Sequence, residues 1–387
     1  MRVACLLAEI LLVAARLPGA IYYVSPDGAD SNSGSLRAPF RTLMRGAKAA
    51  SAGDTVVVRD GTYGPENAVT AGDAADTNVS PVVLTRSGSP AAWITFKAEN
   101  RWRAVLDCEM TCDSYFDLGN ASYIVIQDFV ITHGFREGIH SNGGAHHITI
   151  RGNRIEYIGN RQTSSNYGLD GMYTNPSCHD FLIDGNAFHD IGRTNATSLD
   201  HALYLRGWNF TVINNIFYNL TRGWGIQMAD GLVNILVANN TFAFINPGQG
   251  GQIMMWNAQA QVTIRNNIFY KPQTAAIVRF ESTASTCAID HNLVAGAVPI
   301  IESPSGCSIG TNLMDVDPGF VGAVTPPYDF HLSAASPAAH AGVPVASVVA
   351  DYDGGRRPAG GGVALGALQP GAPIPRRAPL GRPTRRS

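Results

Sequence analysis

Asp170, Asp200, His201, Tyr204 and Arg206 bring carboxylates, an imidazole, a phenol and a guanidinium into one stretch of the chain, with Glu137 and His140 shortly before it. Such a set can move protons beside a bound anion. Elimination from a uronic acid needs its carboxylate neutralised, a base for the C5 proton and an acid for the leaving oxygen. Arg206 suits the first task, because its planar fork matches a carboxylate. His201 and Tyr204 are the candidates for proton transfer. Glu137, Asp170 and Asp200 offer the clustered oxygens that Ca²⁺ prefers, so they form the candidate metal set and Ca²⁺ the candidate cofactor. Plainer readings stand beside these. Tyrosines on a repeating face stack on one another, and aspartates in turns bond to backbone groups. Asp170 with Asp200 would also suit an inverting hydrolase, whose carboxylates stand about 6.5–9.5 Å apart.

Short strands must position these groups. Residues 138–142 (GIHSN), 171–175 (GMYTN), 202–206 (ALYLR), 225–229 (GIQMA), 252–256 (QIMMW) and 276–280 (AIVRF) share an apolar second position, filled by Ile139, Met172, Leu203, Ile226, Ile253 and Ile277. Those six are expected to point inward. Alternation then turns the third position outward, giving a row of His140, Tyr173, Tyr204, Gln227, Met254 and Val278. The fifth position also faces out, with Asn142, Asn175, Arg206, Ala229, Trp256 and Phe280. From these rows His140, Asn142, Tyr173, Asn175, Gln227 and Trp256 are the candidate substrate-binding residues. The longer intervals around residues 160–168 and 193–199 are expected to form walls beside the row, since insertions in solenoids gather on the binding face.

A second phrase sets the period. An Asn followed by an apolar pair and a turn recurs at Asn153, Asn186, Asn215, Asn240, Asn267 and Asn292, at spacings of 33, 29, 25, 27 and 25 residues. A period in this range denotes stacked repeats. The segments between show strand alternation and no helical period. The pattern predicts an all-β, single-stranded right-handed parallel β-helix, with coils about 4.8 Å apart and each Asn bonded to its equivalents above and below. Near the N-terminus Phe40, Leu43, Met44 and Ala47 recur at helical spacing, which predicts a short helix capping the open end.

The 387 residues are 45% hydrophobic and carry a net charge of −2, so the whole chain has no electrostatic attraction for nucleic acid. Residues 3–17 form an apolar stretch after Arg2, read as a signal peptide ending at Ala20 and implying export. No other stretch is long and apolar enough for a membrane span. In an oxidising compartment Cys108 with Cys112 and Cys287 with Cys307 can pair locally, leaving Cys178. Residues 370–387 hold five Pro and five Arg and read as a disordered tail.

Residues 22–63 resemble in pattern the opening of secreted parallel β-helix proteins of the pectate-lyase-like superfamily, which includes family 9 pectate lyases and family 6 alginate and chondroitin lyases. Residues 329–343 and 351–369 look like the C-terminal module of bacterial β-helix surface proteins, with His340, Ala364 and Gln369 where acidic residues are usual. The resemblance implies a polysaccharide substrate and a secreted protein. It does not carry over the catalytic Lys of those lyases, because lysine occurs only at Lys48, Lys97 and Lys271. The run 167–173 (YGLDGMY) weakly resembles a mannuronan epimerase motif, but Met172 stands where that motif has its His.

The reading is therefore one β-helix domain over residues 21–369, monomeric, acting as a lyase on an acidic polysaccharide. The alternatives are a non-catalytic carbohydrate-binding or structural β-helix, a glycoside hydrolase and a uronate epimerase.

Overall fold

The computed structural model describes residues 19–65, 69–70, 79–159, 168–193, 199–220, 223–245, 251–282, 285–301, 306–357 and 362–370. The expected signal peptide and tail therefore lie almost wholly outside the described residues, as do most of the two expected walls. What is described is a right-handed parallel β-helix built from three long parallel sheets of 11, 10 and 8 strands. Successive strands of the chain go to successive sheets, so each coil contributes one strand to each.

The Asn phrase marks one bend of every coil. Asn215 shows the pattern: its Nδ2 donates to the Ile183 carbonyl (2.8 Å), and its Oδ1 accepts from the Asn186 backbone N–H (2.9 Å). Its own N–H in turn donates to Asn240 Oδ1 at 2.8 Å. The ladder continues through Asn267, Asn292 and Asn312. The residue before each ladder Asn from Asn153 to Asn292 lies in the left-handed region, for example Asn214 (φ 55°), Asn239 (55°) and Asn266 (56°). Asn tolerates that region better than most residues, which explains the Asn-Asn spelling. Phe181, Phe210, Phe188, Phe217, Phe242 and Phe269 stack through the interior.

The one helix among the described residues, Leu43–Ala49, starts at Thr42, whose hydroxyl accepts from the Arg45 N–H. It buries Leu43, Met44 and Ala47 beside Phe40, as the spacing predicts. Both expected disulfides form, and Cys178 is free and buried. No described helix is long and apolar enough to cross a membrane.

The C-terminal module does not act simply as an end cap. It runs back along the flank, so the 10-stranded sheet is buried on both faces. Ala338, Tyr352, Leu365 and Leu368 cover the outward side chains Ile216, Tyr218, Ile268 and Leu293. Arg357, buried, donates to Asn214 Oδ1 and to carbonyls of its own segment, and the Ala367 N–H donates to Thr241.

Within this segment His331 is bracketed by Asp329 (Nδ1–Oδ1 2.5 Å) and Asp353 (Nε2–Oδ2 2.8 Å). The two carboxylates raise its pKa from 6.5 to about 10. A raised folded-state pKa contributes stability that is complete below pH 6.5 and lost as the pH rises towards 10. The melting temperature is expected to fall across that window, and His331→Gln to remove this part of the fall. A wild-type and variant pair with parallel pH profiles would disprove the linkage.

Candidate functional site

The 8-stranded sheet carries the candidate row. Its register aligns Phe116, Ile139, Met172, Leu203, Ile226 and Ile253, all fully buried, so the inward column holds for these. It differs in the last coil, where Val278 rather than Ile277 pairs with Ile253. Val278 is therefore an inward residue, and Arg279 takes its expected outward place beside Met254. Phe280 follows Met255 in register, on the inward side. The upstream strands add Asp117 beside His140.

Three rings of the row stack coil upon coil. His140 lies parallel to Tyr173 (5.2 Å, 13°), and Tyr173 to Tyr204 (5.5 Å, 23°). Close approach at the base of this face needs Gly171, where a Cβ would stand 2.6 Å from the Ala202 carbonyl oxygen. Arg206 leaves the end of the strand Leu203–Leu205 and is held between two groups: its Nη1 donates to Tyr173 Oη at 2.7 Å, and its Nε and Nη2 meet Asp230. Its side chain keeps 27% of its surface exposed. Tyr204 is half-buried, and that burial raises its phenol pKa. It remains a proton donor at neutral pH.

Behind the row lies a buried acidic layer. Glu137 and Asp170 are register partners on neighbouring strands, both nearly inaccessible. Glu137 Oε2 makes no hydrogen bond and stands 3.6 Å from His140 Nδ1. Burial alone would lower the pKa of His140, but Glu137 outweighs it and the imidazole is raised. Burial and then the charge of Glu137 push the Asp170 carboxyl well above the ordinary range.

Two expected roles change. Asp200 is not an open metal ligand: both its oxygens are taken by the buried Arg193, at 2.6 Å to Nη2 and 3.0 Å to Nε, and it also accepts from the Arg193 and Leu169 N–H groups. It links Arg193 to Leu169. Among the described residues the one group of three potential ligand side chains within 4.8 Å of one another is His146, His147 and His179, not Glu137, Asp170 and Asp200. The fixed Asp200 is likewise unsuited to serve with Asp170 as a hydrolase pair. His201 is not an exposed base. It is fully buried, lies stacked on Trp224, and accepts the Trp224 N–H at Nδ1 (3.1 Å), which leaves its proton on Nε2. Burial pushes its pKa down to about 3, so it is neutral at pH 7.

The other expected residues divide. Trp256 is 46% exposed and free to meet a ligand, whereas Gln227 is buried. Asn175 donates to the Asn142 carbonyl and accepts from the Ser177 N–H, a turn-forming role. Asn142 is exposed at the same corner. The sequence reading missed Asp230 and Arg193, partners that determine what Arg206 and Asp200 can do. An Asp-Gly turn signal at residues 230–231 was the one available cue to the first.

Residues 22–198 match the family model described as the Pel9A-like, right handed beta helix region, and residues 137–312 match that of the right handed beta helix region. Among curated proteins, the uncharacterized protein YwoF of Bacillus subtilis is 28% identical over 152 residues, 36% of this chain and 29% of that protein. Pectate lyase PEL9 of Emericella nidulans is 29% identical over 112 residues, 27% of this chain and 24% of that protein. The chain thus aligns with less than a third of the length of either relative. Among solved structures, pectate lyase Pel9A superposes with a TM-score of 0.60 at 16% identity, over 91% of this chain and 96% of that one. A glycoside hydrolase superposes with a TM-score of 0.50 at 10% identity, over 76% and 96%. Likeness at these identities is likeness of fold. The chain has the right-handed parallel β-helix fold, and its residues 22–198 are similar to the Pel9A-like form of it.

Proposed function

We propose that the chain is a secreted, monomeric polysaccharide lyase that cleaves a uronate-containing polymer by β-elimination. The observation that supports this best is the outward-facing, half-buried row of Tyr173, Tyr204 and Arg206, two phenols and a guanidinium one coil apart over a buried acidic layer. In this reading Arg206 meets the uronate carboxylate, exchanging it for Asp230. Tyr173, whose oxygen accepts from Arg206 Nη1, first passes its own proton to water and then takes the C5 proton, while Tyr204 delivers its phenol proton to the leaving oxygen. Trp256, two coils further along, offers a stacking surface for a neighbouring sugar, and His140 closes the other end of the row. His201 acts from below by holding Tyr204 and the Trp224 backbone in place.

Where Ca²⁺ is bound, Glu137 and Asp170 fit it: two carboxyls face each other across one coil step and one oxygen makes no hydrogen bond. Asp200 does not fit. The cation would add positive charge beneath the row, on the side from which Arg206 meets the substrate carboxylate. Adding Ca²⁺ is expected to raise the melting temperature of the wild type, and Asp170→Asn to abolish that rise while leaving the metal-free fold intact. An equal Ca²⁺ response in both proteins would remove the cation from this site.

Incubating the protein with a panel of uronate polymers, with and without Ca²⁺, and following the ultraviolet absorbance of the unsaturated product tests the reaction itself. New reducing ends without absorbance would mean hydrolysis. Binding without either product would favour the second reading, a non-catalytic carbohydrate-binding protein, to which the stacked aromatic row lends itself.

A further inference from the structure

The corner that follows the candidate row carries a cluster that the lyase reading leaves unused. The geometry points to a site for a divalent late transition ion, Zn²⁺ by the chemistry of its ligands, held by His146, His147 and His179 with Asp180 behind them.

The ring nitrogens of the three histidines offer one ligand atom each within 4.8 Å of one another. His146 Nδ1 and His147 Nδ1 lie 2.9 Å apart, so without a cation they must share a proton between two lone pairs. In an ordinary strand, consecutive side chains point to opposite faces. Here His147 has φ 53°, in the left-handed region, and this turns its ring to the same side as His146. That conformation suits Asn or Gly better than His, and the equivalent places in later coils are Asp180, Asn209 and Asn234.

The tautomer of His179 is determined by its neighbour. Its Nδ1 donates to Asp180 Oδ2 at 2.6 Å, so the Nε2 lone pair is free. Asp180 is itself held by Asn209 Nδ2 at 2.9 Å and stands 3.6 Å from His147 Nδ1. A carboxylate that fixes the far nitrogen of an imidazole is the usual support of a metal-bound His. Imidazole donors select Zn²⁺, Cu²⁺ or Ni²⁺ over Ca²⁺. The side chains of His147 and His179 are 38% and 24% exposed, so an ion can reach them.

Tetrahedral Zn²⁺ at about 2.0–2.1 Å from each nitrogen needs them about 3.3 Å apart. The widest separation must close by about 1.5 Å. His179 lies parallel to His146 (4.8 Å) on one side and to Trp208 (4.4 Å) on the other. Closing requires it to tilt off the indole, which makes Trp208 a reporter. The fourth position stays open to water or to a sugar hydroxyl.

The test uses the full chain without a histidine tag, stripped with a chelator and titrated with ZnCl₂ by calorimetry and indole fluorescence. The wild type is expected to show a single saturable site and a change in emission. His147→Ala is expected to lose saturable binding, and Asp180→Asn to weaken it by about tenfold to a hundredfold. Absent uptake in the wild type, uptake unchanged in both variants, or displacement of the bound Zn²⁺ by an equal concentration of CaCl₂ would overturn the site. Should either variant fail to fold, Co²⁺ added to the wild type gives the answer: ligand-field absorption of an imidazole-bound ion supports the site, and its absence rejects it.

Discussion

Replacing Asn215 by leucine is expected to destabilise the protein by about 3–6 kcal/mol, enough to unfold a typical domain at moderate temperature. Asn215 is inaccessible to solvent, so nothing replaces its bonds. The change strands the Asn186 N–H and the Ile183 carbonyl, and it takes one bond each from the side-chain amides of Asn186 and Asn240, which keep the Ile150 carbonyl and the Asn215 N–H. Each orphaned buried group costs about 1–3 kcal/mol, partly offset by the apolar leucine. The same substitution at exposed Asn257, a turn residue outside the ladder, is expected to cost far less. Chemical denaturation of the two variants checks this. Comparable losses at both positions would show that the ladder has no special part in stability.

Tyr204→Phe is expected to lower turnover on the cleaved polymer by about 10²–10⁴-fold with little change in melting temperature. The phenol oxygen is all that is removed, and the ring keeps its stack on Tyr173 and its contact with His201. Arg206→Lys is expected to raise KM most, because an ammonium cannot span Tyr173 and a carboxylate at once. His201→Ala is the contrasting variant: it opens a cavity between Trp224 and Tyr204, so its first effect should be on melting temperature. Near-wild-type turnover in both the Tyr204 and Arg206 variants would move the reaction centre elsewhere, with Trp256 and Arg279 the next place to examine.

Much of the fold could be read directly because stacking repeats one local problem. Each coil has to satisfy the same bend, so the ladder Asn returns at each turn, and a left-handed residue precedes it. The inward column was readable for the same reason, up to the run at residues 276–280. There Ile277 and Val278 are both apolar and either can fill the column. The register is settled by Arg279, which stays outside, and by pairing with Ile253. The candidate site was readable only as a row. Alternation says which side chains share a face, but not who holds them. Asp230 reaches Arg206 from a turn one coil away, and Arg193 takes Asp200 from its own loop, and no period carries either fact. His201 was misjudged because it precedes its strand, where alternation does not apply. The place of the C-terminal module was not readable for another reason: its apolar residues announce burial but not the surface that receives them.

That flanking segment alters how the molecule can come into being. A solenoid whose coils touch only their neighbours can form from either end and fray one coil at a time. Here Tyr352 meets Trp102 near the start of the array, while Leu365 and Leu368 belong to the cluster that covers Ile268 and Leu293 near its end. Until residues 338–369 dock, Ile216, Ile268 and Leu293 face water. A chain whose coils form first thus passes through a stage with this apolar strip uncovered, which ends when its last segment closes over it. Once the last residues dock, coils far apart in the stack open together or not at all.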